Sequence, residues 1–190
     1  MRALLTLGLA AALTAGVMAQ QRAQLEVGDM APDFNLEGTD GQMHHLSDYR
    51  GQTVVVAWFP KAFTTGCTIE CKSLAENGDR IKTFDVTYFM ASVDNIDDNT
   101  AFANATSVDL GGRFGVVEKN EADFPMLADP TMATARAYGV LNDRMVADRW
   151  TFYIGPDGRI TAIDKAVNPE RSAEDMIAKL QELGTPMMQH

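Results

Sequence analysis

The sequence predicts an α/β/α sandwich built around a mixed β-sheet, and three observations predict it. Residues 53–59 (TVVVAWF) and 86–93 are continuous apolar, β-branched and aromatic runs, as expected of strands buried on both faces. Each is followed by a segment of helical character, 67–82 and 97–105, and strands alternating with helices imply helical layers on a sheet. Turn signals at Asp40-Gly41 and at Pro156-Asp157-Gly158, each between short strand-like runs, add hairpins near both ends and make the sheet mixed.

Taken in order, residues 1–19 read as a secretory signal. Arg2 supplies a positive start, residues 4–17 carry no charge, and Val17-Met18-Ala19 is a small-residue cleavage pattern. The apolar run is shorter than the roughly 18 residues a membrane-spanning helix needs. Export, most simply to a bacterial periplasm, is the expectation, with no stable membrane association after cleavage. Residues 20–190 read as a single domain, because no repeat, low-complexity tract or linker interrupts them. Residues 20–25 form a lead-in. Residues 33–36 and 42–46 flank Asp40-Gly41 as the N-terminal hairpin, and Pro60 ends the first buried strand.

In the helix over 67–82, Ile69, Leu74 and Ile81 fall at inward positions. Residues 109–121 are Gly-rich and charged, and read as a surface loop. Residues 125–129 are extended, and 131–138 form a short helix stopped by Gly139. Residues 150–154 and 159–164 make the second hairpin. A last helix over 172–183 ends at Gly184, with Ser172 and Asp175 spaced as a capping-box-like start.

The composition narrows the function. Of 190 residues, 46% are hydrophobic and 22% charged, which is ordinary for a folded globular chain. A formal net charge of −10 leaves no basic surplus to neutralise phosphates and argues against a nucleic-acid partner. Two cysteines and three histidines exclude a cysteine-rich zinc site and a disulfide-dense scaffold. His44 and His45 alternate faces on a strand and cannot serve one site. The acidic run 94–98 lacks calcium-loop spacing and reads as helix capping.

The two cysteines, Cys67 and Cys71, are enough for redox chemistry. A buried strand, a short loop and a helix place Cys67 in the first helical turn, where exposed N–H groups and the helix dipole favour the thiolate that attacks electrophiles. Thr64 and Thr65 put hydroxyls within loop reach of it. Cys71 lies one turn on, on the same face. A disulfide needs Cβ atoms about 3.5–4.5 Å apart, whereas helical neighbours at this spacing sit about 5–6 Å apart. Bridging the pair therefore requires the first turn to unwind.

The segment Pro60-Lys61-Ala62-Phe63-Thr64-Thr65-Gly66-Cys67 resembles the signature of the peroxiredoxins, the AhpC/TSA family of the thioredoxin-like superfamily. The resemblance extends through residues 27–34, 46–51, 124–130 and 137–140 and Arg149-Trp150-Thr151-Phe152, in the family's order over about residues 25–184. The chain is similar to the bacterioferritin-comigratory, PrxQ-like branch.

That resemblance implies a thioredoxin-like fold and a thiol peroxidase needing no cofactor and no metal. It implies that Cys67 attacks the peroxide and becomes a sulfenic acid. Thr64 would hydrogen-bond the thiolate and the peroxide, Pro60 would shield the pocket, and Arg149 would stabilise the thiolate and polarise the peroxide. Glu70 matches an acidic position of the branch and would position an arginine. The sulfenic acid would condense with a nearby thiol, and a thioredoxin-like or other external dithiol would reduce the product. Two departures stand out. In this branch the resolving cysteine falls five residues after the peroxidatic one, against four here, so Cys71 is assigned by proximity. Residues 108–121 also form an insertion relative to compact members.

Two other readings compete. Sco-type copper chaperones share the Cys-x-x-x-Cys spacing and the fold, but need a downstream histidine, and after Cys71 only the terminal His190 is available. Thioredoxin-like disulfide oxidoreductases rely on Cys-x-x-Cys, which is absent.

Overall fold

The computed structural model describes residues 24–188, so the expected secretory segment 1–19 and His190 lie outside the described residues. At its centre is a seven-stranded mixed sheet, in the order β2-β1-β7-β4-β3-β8-β9. Strand β3 (Thr53–Trp58) is buried along its whole length, which accounts for its unbroken apolar sequence. It pairs in parallel with β4 (Val86–Ser92), from Thr53 opposite Val86 to Trp58 opposite Ala91. On its other side runs β8 (Thr151–Ile154), antiparallel, with Ala57 opposite Thr151. The two expected hairpins flank this centre. The first joins β1 (Asn35–Gly38) and β2 (Met43–His45), and the second joins β8 and β9 (Ile160–Asp164). Strand β7 (Met126–Ala128) ties β1 to β4.

Alternation along β3 divides the core in two. Val55 and Ala57 face a layer built from α1 (Thr65–Ala75), α2 (Gly78–Ile81), α3 (Ile96–Asn104) and α5 (Ser172–Glu182). Val54, Val56 and Trp58 face the other side. There α4 (Ala133–Ala137) and a 3-10 turn (Leu46–Tyr49) pack on the sheet, and residues such as Phe34 and Tyr138 complete the cover.

The structure corrects the sequence reading at four places. The helix expected over 67–82 starts at Thr65 and breaks between α1 and α2, where the Asn77 side chain turns back to donate to the Ser73 carbonyl at 2.8 Å. Ile69 is partly exposed. The inward stripe is instead Cys67, Cys71 and Leu74, each fully buried, at helical spacing. The loop expected over 109–121 is a β-ribbon outside the main sheet, pairing β5 (Ser107–Asp109) with β6 (Val116–Glu118). Gly111, Gly112 and Gly115, all at positive φ, make its tip and disguised the β-branched residues on either side. Ser172 forms no cap. A 3-10 turn (Pro169–Arg171) leads into α5, opened by the Asn168 side chain accepting from the Glu170 N–H at 3.1 Å.

Candidate active site

The site grows out of the carboxyl end of β3. Pro60, half-buried, follows the strand and lacks the N–H a further ladder bond would need. Asp94, just past β4, then fixes the loop. It accepts from the Ala62 N–H at 2.8 Å and from Lys61 Nζ at 3.1 Å, while the Ser92 hydroxyl supports it from behind at 3.2 Å. Of the acidic run 94–98, therefore, Asp94 anchors the site, and the capping falls to Asn95, which accepts from the Asp98 N–H at 2.8 Å. Phe63 takes a left-handed backbone (φ 60°) and lays its ring against Phe102, 5.2 Å between centres.

Thr64 begins α1 with extended backbone, and its carbonyl accepts the first helical bond, from Thr68, at 2.8 Å. Its hydroxyl, expected on the Cys67 sulfur, donates instead to the Lys61 carbonyl at 2.8 Å. A hydroxyl has one proton, so Thr64 here offers the site lone pairs rather than a donor. Cys67 occupies the third position of the helix, where the backbone N–H groups have no intrahelical partner.

Arg149, arriving just before β8, closes the site. Nη2 donates to Cys67 Sγ at 3.2 Å, and Nη1 donates to Glu70 Oε2. Burial acts to lower the arginine's pKa, but Glu70 and Cys67 facing it raise it on balance, so the guanidinium stays cationic. Glu70 is fully buried. Burial pushes its carboxyl up to about 7, against the pull of Arg149 and the Ser172 hydroxyl. Cys71 is fully buried too, and burial pushes its thiol up to about 11, against the pull of Lys119. Both cysteines are free thiols.

The structure thus places Arg149 on Cys67 and Glu70, with Cys71 one turn further along α1. Four contributors were missed: Asp94, Ser172, Lys119 and Gly66. A Cβ on Gly66 would sit 2.9 Å from Arg149 Nη2 and 3.8 Å from a Pro169 ring carbon, so the absent side chain is what lets the guanidinium lie over the helix start. The signal was a glycine in a first helical turn, where nothing about the helix itself requires one. Gly66→Ala should lower the rate of Cys67 oxidation by about tenfold while leaving thermal stability within about 1 kcal/mol. Stopped-flow oxidation beside thermal unfolding checks this, and an unchanged rate would show that Arg149 needs no such clearance.

A buried strand that delivers a cysteine to a helix N-terminus, with an arginine hydrogen-bonded to the sulfur, defines a thioredoxin-like thiol redox enzyme. Residues 27–163 match the AhpC/TSA family. Peroxiredoxin Bcp of Escherichia coli strain K12 is 31% identical over 143 residues, covering 72% of this chain and 83% of that protein. Among solved structures, peroxidoxin BcpB from Mycobacterium tuberculosis superposes with a TM-score of 0.71 at 22% identity, covering 84% of this chain and 98% of that one. The bacterioferritin comigratory protein of Xanthomonas campestris, described for alkyl peroxide reduction, gives a TM-score of 0.65 at 20% identity, covering 78% and 90%. The chain belongs to the AhpC/TSA family, as a peroxiredoxin of the bacterioferritin-comigratory branch. It is a thiol-dependent peroxidase, and the copper-binding and disulfide-oxidoreductase readings are not favoured.

Proposed function

We propose that Cys67 is the peroxidatic cysteine and Cys71 the resolving one, acting on hydrogen peroxide or small alkyl hydroperoxides. The observation that carries this is the 3.2 Å contact between Arg149 Nη2 and Cys67 Sγ at the start of α1. The Cys67 thiolate attacks one peroxide oxygen and the O–O bond breaks. Sulfur is oxidised to the sulfenic acid, and the departing alkoxide or hydroxide takes up a proton. Arg149 and the free N–H groups of the first turn face the negative charge as it moves from sulfur to oxygen, where such donors lower a barrier most. Thr64 accepts from the peroxide hydroxyl through its free lone pairs, and Pro60 walls the site from water.

Resolution joins Cys67 and Cys71. Since both are buried on one face of α1, the first turn must loosen before their sulfurs can bond. A thioredoxin-type or other dithiol then reduces the disulfide. The Arg2 start, the uncharged run over 4–17 and Val17-Met18-Ala19 support export to a periplasm, which a mature N-terminus at Gln20 in the periplasmic fraction would test.

The test is steady-state peroxide reduction with a dithiol donor. Cys71→Ser should oxidise at Cys67 as fast as the wild type, yet lose at least about tenfold in dithiol-supported turnover. Unchanged turnover would make the enzyme a one-cysteine peroxidase and end the resolving role of Cys71.

A further inference from the structure

The chain leaving the β5–β6 ribbon carries a buried cation into the layer that holds Cys71. Lys119 follows β6 and is only 4% exposed. Its Nζ donates to the carbonyls of Ala103, at 3.2 Å, and Asn120, at 3.1 Å, and lies 5.6 Å from the centre of the Phe102 ring. An ammonium has three protons. Two are spent on these carbonyls; Phe102 and Ala103, which flank the ammonium, pack in one buried cluster with Cys71, and Lys119 is the cation that acts on its thiol. Among the described residues Lys119 forms no ion pair with a carboxylate, although a buried ammonium without an anion is costly. The neighbouring Lys72 donates to the Glu118 carbonyl at 2.6 Å, so the turn that holds Cys71 is tied to the end of β6, one residue before Lys119.

We propose that Lys119 is the electrostatic partner of Cys71 in the resolving step, holding its thiolate as that sulfur attacks the Cys67 sulfenic acid. The inference rests on the reading that Cys71 resolves. The S–S bond forms as the Cys67 S–O bond breaks. Cys71 sulfur is oxidised and Cys67 sulfur reduced, and the departing hydroxide takes the proton released by the Cys71 thiol, giving water. Lys119 keeps all its protons throughout. It is needed because the other charged groups near Cys71, Glu70 and the Cys67 thiolate on α1 itself, both oppose a second thiolate. Sequence reading saw only a lysine in a charged loop; the ribbon's pairing is what turns it inward.

Lys119→Gln tests this, because its amide keeps two donors for Ala103 and Asn120 while removing the charge. In a Cys67→Ser background Cys71 is the only thiol, so absorbance near 240 nm, taken as the difference from a Cys67→Ser, Cys71→Ser control that cancels the tyrosines, reports its thiolate. At about pH 10.5 the thiolate fraction should fall at least about threefold in Lys119→Gln and recover in Lys119→Arg. In the protein with both cysteines, a single turnover with one equivalent of hydrogen peroxide should form disulfide at least about tenfold more slowly at neutral pH, with Cys67 oxidation unchanged. If Lys119→Gln does not fold, Lys119→Met is measured in the same way. An unmoved thiolate absorbance overturns the Lys119 proposal, as does unslowed disulfide formation. Failure of the underlying reading shows separately, as undiminished dithiol turnover in Cys71→Ser.

Discussion

Cys67→Ser should lose at least about 10⁴-fold in peroxide consumption, because on the proposed assignment its thiolate is the nucleophile and a serine hydroxyl stays protonated at the same place. The substitution is nearly isosteric. Cys67 is fully buried between β3 and the rest of α1, and the oxygen of a serine can still accept from Arg149. Far-ultraviolet circular dichroism and the unfolding midpoint should therefore match the wild type, separating loss of chemistry from loss of fold. Fast peroxide consumption surviving in this variant would overturn the site assignment.

Arg149→Met should lower the rate of Cys67 oxidation by about 10²–10³-fold, the usual cost of removing one preorganised donor from a developing charge. It should also destabilise the fold, because Glu70 remains behind, fully buried and without its cation. Stranding one partner of a buried pair costs about 3–5 kcal/mol. The sign of the pH dependence follows from Glu70. Its folded pKa is raised by burial above its unfolded value of 4.5, so the folded state holds the proton more tightly. In the wild type this group's contribution is fully favourable below 4.5 and is lost as pH rises toward about 7. Without Arg149 the folded pKa rises further and the loss grows. Urea unfolding of Arg149→Met should thus show a deficit that is small at about pH 4.5 and largest at about pH 9. Adding Glu70→Gln should restore stability at high pH but leave the oxidation rate low. A variant equally destabilised at both pH values would mean that Glu70 is not the group left charged.

What the sequence revealed and what it withheld divide along physical lines. β3 was legible because burial on both faces leaves no polar position in it, and both hairpins because Asp-Gly turns have few alternatives. Cys67, Glu70, Cys71 and Arg149 were legible because each sits in a motif or at helical spacing from one. Asp94, Gly66 and Lys119 act across the fold. Asp94 reaches a loop some thirty residues away, Gly66 works by what it lacks, and Lys119 depends on a ribbon hidden by its glycines. Ser172 shows the same limit from the other side. A local pattern suggested a cap, but Ser172 lies inside the first turn of α5, which is led in by the 3-10 turn that Asn168 opens. The helix break at Asn77 was invisible for a related reason, since apolar spacing continues through it to Ile81.

The β5–β6 ribbon shares no strand with the seven-stranded sheet. Arg149 instead precedes β8 of that sheet, and Cys67 stands at the start of α1, a short loop beyond β3. On the proposed assignment, changes in the length or glycine content of the ribbon tip act first on the surroundings of Cys71, through Lys119 and the Lys72 contact to Glu118. What such drift would tune is the lifetime of the sulfenic acid. A short lifetime hands the oxidising equivalent onward as a disulfide. A long one gives a second peroxide time to carry the sulfur to the irreversible sulfinic acid. Tolerance of oxidative excess is in this way separable from speed, and evolution can adjust it by editing a surface appendage.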